Sequence, residues 1–160
     1  MRSLVAATVV ATVLFAAGCT TSSGHPAGSS TSLPPDPHLA TALLKIATAF
    51  NHDYDTGDYG PVYARWDARS RAIITRADYI KRHKDCPGGS QALSRTEDVS
   101  AGGAQGAWLV HYEIGGQQFT DFWFYEGHRW VFDLVLSNPA SAKQYRMSPA
   151  KYAAAVGCGR

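Results

Sequence analysis

The 160-residue chain contains no Gly-x-Ser-x-Gly elbow, no glycine-rich phosphate loop and no two histidines spaced four apart. The sequence marks of nucleophilic hydrolases, nucleotide-dependent enzymes and zinc helices are therefore missing. Charge is sparse: 15 Lys and Arg face 13 Asp and Glu, for a net +2 at neutral pH. So small an excess argues against nucleic acid as the main partner. Long apolar runs are scarce too, since the stretch Leu4 to Ala17 is too short to span a bilayer as a stable helix. Asp53-Tyr54-Asp55-Thr56-Gly57-Asp58 has the outline of a calcium loop, but its glycine comes one place early and no glutamate closes it. It reads as a turn between helices, and neither a metal nor a cofactor is expected.

What is present begins with an address. Arg2, the uncharged run and then Gly18-Cys19 have the layout of a secretory signal, and Phe15-Ala16-Ala17-Gly18-Cys19 resembles a bacterial lipobox. Leu is commoner where Ala16 stands, and an ordinary signal peptide with a coincidental cysteine is the other reading. Cleavage after Gly18 would leave residues 1–18 as signal and make Cys19 the site of lipidation. Several acyl chains at about 0.8 kcal/mol per buried methylene hold a protein on a membrane far better than one myristoyl chain. Residues 19–35 are almost wholly Thr, Ser, Gly, Ala and Pro, a composition that buries too little apolar surface to fold, and so read as a disordered tether. A flexible chain of that length spans roughly 20 to 25 Å. Residues 36–160 have the size of one domain with one core.

With Cys19 assigned to lipid, Cys86 and Cys158 form an even pair in an oxidising compartment, where a disulfide is the default. Closing so long a loop stabilises by about 4 kcal/mol in the chain-entropy model. The rival is a reactive thiol at Cys86, with His83 and Lys84 nearby to lower its pKa.

Asp36-Pro37 reads as an N-cap and first helical residue, and Leu39, Leu43, Ile46, Ala47 and Phe50 recur at helical spacing. A second short helix is expected from about Gly60 to Trp66. A third opens at Thr75-Arg76-Ala77-Asp78, a capping box with Asp in place of Glu, and ends before Cys86-Pro87-Gly88-Gly89. Period-two patterning then predicts strands near Leu93–Ser100, Ala107–Ile114, Gln118–Tyr125 and Arg129–Leu136, with two-residue turns at Gly115-Gly116 and Glu126-Gly127. Asn138-Pro139 and Ser148-Pro149 cap two terminal helices. Helices followed by an antiparallel meander indicate an α+β fold.

The first helix running into Gly57-Asp58-Tyr59, the phrase Thr75-Arg76-Ala77-Asp78-Tyr79-Ile80-Lys81-Arg82-His83 leading to Cys86-Pro87, and Arg129-Trp130-Val131-Phe132 resemble the nuclear transport factor 2-like, or cystatin-like, superfamily. The likeness is greatest to small lipoproteins of high-GC Gram-positive bacteria. It implies a cone-like arrangement of helices on a curved antiparallel sheet, often with a pocket between them. It implies no activity, because that superfamily holds enzymes, ligand binders and adaptors alike.

The two turns set a register that places Trp108, Trp123 and Trp130 in one cross-strand row, with Val110, Asp121 and Phe132 beside it, then Tyr112, Phe119 and Leu134. This face belongs under the helices, so its tryptophans read first as core. Asp121 is the exception there, because an unpaired buried carboxylate costs several kcal/mol or is pushed toward its neutral form. Either a Tyr or Arg of the helical layer satisfies it, Tyr63 and Arg65 being the candidates, or it stands in a cavity as base or polar anchor. In the second case Trp108, Tyr112, Asp121, Trp123 and Trp130 are the pocket candidates, and His83 is the candidate catalytic partner of Asp121. The other sheet face carries Leu109, His111, Glu113, Thr120, Phe122, Phe124, Val131, Asp133 and Val135, a mixture suited to a second copy, to a cell-envelope partner or to cover by the terminal helices. His111, Thr120 and Asp133 are expected side by side on it. The basic run Arg65, Arg69, Arg71, Arg76, Lys81, Arg82 and Lys84 is either a solvated face or a contact for anionic lipid. The chain thus reads as a lipid-anchored extracytoplasmic lipoprotein whose non-enzymatic domain binds a small hydrophobic ligand or an envelope protein. A cyclase or isomerase with Asp121 as base, and a structural homodimer through the outer sheet face, are the alternatives.

Overall fold

The computed structural model describes residues 37–87 and 93–158. The expected signal, lipobox, tether, Asp36 cap and Gly88-Gly89 turn lie outside the described residues. α1 (Pro37–Asp55) exists because its apolar side chains return every three to four residues: Leu43, Ala47 and Phe50 are buried along one stripe, with Leu39 and Ile46 packed at its margins. It stops where Gly57 turns left-handed (φ +82°) and Asp58 N–H reaches back to the Asp53 carbonyl at 2.8 Å.

α2 spans Tyr59–Ala64 and is followed by α3 (Ala68–Arg71), a four-residue helix that the sequence pattern does not reveal. Its cap is Asp67, whose side chain accepts from Ser70 N–H at 2.8 Å. α4 (Arg76–Asp85) opens on Thr75, whose hydroxyl accepts from Asp78 N–H at 3.1 Å and donates to the Asp78 carboxylate at 2.8 Å. The shorter Asp side chain thus closes the box onto the Thr hydroxyl.

The sheet is antiparallel in the order β1 (Ser94–Ala101), β2 (Trp108–Ile114), β3 (Gln117–Glu126), β4 (Arg129–Phe132). Gly115 and Gly116 both take positive φ and pair Ile114 with Gln117, as the sequence predicts. The second turn is Gly127-His128 (φ +53° and +61°), which pairs Glu126 with Arg129 instead of Tyr125 with His128. That two-residue slip keeps every side chain on its expected face but puts Phe132, not Trp130, opposite Trp123. Glu126-Gly127 and Gly127-His128 each place one non-glycine residue at positive φ, so the turn alone does not choose. Phe132 decides: Phe50 packs on it at 4.9 Å, and its backbone exchanges hydrogen bonds with Arg65 and Asp67 in a parallel bridge at Trp66.

β4 therefore ends at Phe132, four residues before the patterning predicts. Asp133 caps a further short helix, α5 (Leu134–Ser137), which runs beside β3 where the strand would have continued. Ser137 Oγ accepts from Phe122 N–H at 2.8 Å, replacing a ladder bond. α6 (Pro139–Tyr145) and α7 (Pro149–Ala155) follow, α6 capped by Asn138 and both with proline in the first turn. Helices first and an antiparallel meander after them make an α+β fold. Its core joins Leu43, Ala47 and Phe50 of α1 and Val62 of α2 to Val110, Trp123 and Phe132 of the sheet. Cys86 and Cys158 are joined in a disulfide, with Cα atoms 5.7 Å apart, linking the end of α4 to the residues after α7.

Candidate functional site

Between the helices and the inner sheet face lies a cavity of about 210 Å³. The sheet supplies Tyr112, Ile114, Phe119, Asp121 and Phe132; α1 supplies Phe50, Asn51 and Tyr54; the remaining wall includes Val62, Trp66, Tyr79, Leu134, Ser141 and Tyr145. Aromatic rings dominate this wall because period-two residues of β2 and β3 and helical-stripe residues of α1 and α4 converge there. Phe119 is exposed, so the cavity borders solvent near the β2–β3 hairpin.

Asp121 is the formal charge of that wall and is 6% exposed. Its one hydrogen bond among the described residues comes from the Tyr112 hydroxyl at 3.4 Å, long for an O–H donor to a carboxylate. Burial raises its pKa from 3.8 to about 7, and the Tyr112 hydrogen bond offsets only part of that rise. Burial, together with the Asp121 charge, holds the Tyr112 phenol far above its usual range.

Neither Tyr63 nor Arg65 reaches Asp121. Tyr63 donates to the carbonyls of Ile74 (2.8 Å) and Arg71 (3.2 Å), bracing the α3–α4 connection, and Arg65 lines a separate groove against α1. Of the five sequence-derived pocket candidates, Tyr112 and Asp121 line the cavity. Trp108, Trp123 and Trp130 do not: Trp123 and Trp130 are buried in the core, and Trp108 meets Trp130 edge-on at 5.6 Å.

His83 is not paired with Asp121. Its Nε2 shares a hydrogen bond with the Tyr145 hydroxyl at 2.7 Å, its ring stacks on Tyr59 at 4.4 Å, and Tyr54 and Tyr79 meet it edge-on. Burial lowers its pKa to about 4, so it is a neutral packing residue at physiological pH. Sequence reading misses this tyrosine cluster. Tyr79 and Tyr145 both belong to it and to the cavity wall, yet they come from α4 and α6, too far apart in the chain for any local period to connect them.

The outer sheet face is only partly open. Leu109, Phe122 and Phe124 are half-buried, while Val131 and Asp133 are buried. His111 shares hydrogen bonds with Thr120 (3.0 Å) and Ser100 (3.3 Å), but Asp133, moved by the register slip, pairs with Arg69 instead. The basic run is likewise divided. Arg82 donates to the carbonyls of Tyr145 and Met147, and Lys81 pairs with Asp85. No protein-family model, no curated protein and no solved structure matches this chain.

Proposed function

We propose that this chain is an exported lipoprotein, held on the outer face of the cell membrane through Cys19, whose α+β domain binds a small ligand between its helices and sheet. The observation that carries the binding reading is the cavity holding a buried carboxylate with one long hydrogen bond. A domain built only for stability gains nothing from that arrangement, because an apolar residue at position 121 would remove the desolvation cost. The resemblance to nuclear transport factor 2-like proteins supports the same reading, since a pocket between helices and sheet is a habit of that architecture. The lipid anchor rests on the lipobox-like residues, and no described helix is long and apolar enough to cross a membrane.

An enzyme of the cyclase or isomerase kind is the second reading, favoured by the Asp121 pKa near 7, where a general base works best. It proceeds without His83, which is already bonded to Tyr145. Native mass spectrometry of the chain purified from its membrane tests the binding reading: a retained small molecule, lost on Asp121→Asn, is the expected result. Turnover of that molecule would favour the enzyme. Metabolic labelling with a lipid precursor tests the anchor, and wild type should be labelled while Cys19→Ser is not.

A further inference from the structure

The chemistry of the cavity wall says which ligand it suits, and this step rests on the binding reading above. Asp121 is its formal charge, and no Lys or Arg side chain stands in the wall with it among the described residues. Rings share the wall with it: Phe50, Trp66, Tyr79, Tyr112, Phe132 and Tyr145 all line the same cavity. An aromatic face carries negative quadrupolar charge, so a cation against several rings and one carboxylate is attracted by both. An anion would meet repulsion from each. A neutral ligand could donate a hydrogen bond to the carboxylate but would leave its charge uncompensated in a buried site.

We infer that the cavity binds a small organic cation, an amine of roughly single-ring size, with its ammonium group on Asp121 and its apolar body against the surrounding rings. Size supports the limit, because about 210 Å³ is somewhat more than the ~150 Å³ of a cavity that holds benzene. The carboxylate has acceptor capacity to spare, with one oxygen lightly engaged by Tyr112 and the other meeting no hydrogen-bond donor among the described residues. An ammonium group brings donors to the oxygen that Tyr112 leaves free, and with them the positive charge that the wall lacks.

Titratable groups around the site leave Asp121 in control of the pH response. Burial raises the phenols of Tyr54 (to about 12), Tyr79, Tyr112 and Tyr145, so they stay neutral near physiological pH. His83 behind Tyr145 is neutral above about 4, and Asp55 on α1 is occupied by Ser94 through its backbone N–H and hydroxyl.

The test is titration of the full chain, in detergent and followed by calorimetry, with benzylammonium, benzyl alcohol and benzoate at about pH 8. Benzylammonium should bind at least tenfold more tightly than benzyl alcohol, a gap of about 1.4 kcal/mol, and benzoate should not bind saturably. Lowering the pH to about 5 should weaken benzylammonium roughly tenfold or more and leave the alcohol unchanged. Asp121→Asn should abolish the preference at the higher pH, and the wild-type pH series makes the same distinction if that variant does not fold. Equal or tighter binding of the alcohol or of benzoate would overturn the cation assignment and leave the ligand-binding reading standing. Absence of saturable binding by all three would overturn both.

Discussion

Two aspartates are buried to similar degrees, Asp121 on β3 and Asp133 just beyond β4, 6% and 3% exposed. Asp133 is fully employed. One of its oxygens accepts from Leu136 N–H at 2.9 Å and caps α5, while the other meets the Arg69 guanidinium. Asp121 has the long Tyr112 hydrogen bond and a cavity. Burial alone does not separate a structural carboxylate from a functional one; the accounting of its acceptor sites does. Asp133 has been given a cation by the fold, and Asp121 has none among the described residues.

That contrast can be broken most forcefully at Asp121 itself. Its folded pKa lies above the unfolded value, so the folded chain binds the extra proton between the two, and stability is fully present below about pH 4 and lost as pH rises through about 7. Asp121→Asn removes the titration. At about pH 8 the variant should be more stable than wild type by up to about 4 kcal/mol, and at about pH 3 the gain should vanish. Denaturant unfolding of both proteins across that range, followed by tryptophan fluorescence, measures it. A variant less stable at every pH would mean that Asp121 is as firmly satisfied as Asp133.

The opposite sign is expected at the second carboxylate. Asp133→Ala strips α5 of its cap and leaves the half-exposed Arg69 without its partner, at a cost of about 1.5 kcal/mol. A midpoint shift of that size in the same assay fits the comparison, and a change near zero would sink it. The smallest effect is the sharpest. Tyr112→Phe removes one weak hydrogen bond, costing about 0.5 kcal/mol, yet it also takes away the influence that lowers the Asp121 pKa. The carboxyl should then titrate above its wild-type value in a carbon-detected NMR titration. An unmoved titration would show that the 3.4 Å contact carries no weight.

Helices α1 and α4 are legible in the sequence because their cues are local: a stripe of apolar residues in the first, a Thr75–Asp78 box in the second. The β2–β3 hairpin is equally legible, since two adjacent glycines leave one choice of turn. The next hairpin is ambiguous by two residues, and what resolves it is Phe132 bonding to the Arg65–Asp67 segment, a contact across more than half of the folded chain. Leu134-Val135-Leu136 reads as strand by composition and folds as helix because Asp133 caps it from within. At the site, Tyr112 and Asp121 follow from register alone. Trp66, Tyr79 and Tyr145 do not, because tertiary packing of the Trp66 bridge, α4 and α6 puts them there.

The disulfide changes what a single proteolytic cut does to the chain. Cys86 and Cys158, 72 positions apart, enclose the whole sheet and the last three helices in one covalent ring. A protease that cuts once in any loop of that ring, at the exposed β3–β4 turn for example, severs the backbone without releasing a fragment. The nicked chain would stay one molecule and migrate as two pieces only after reduction, so in an environment rich in proteases a single cleavage need not cost the domain its cavity.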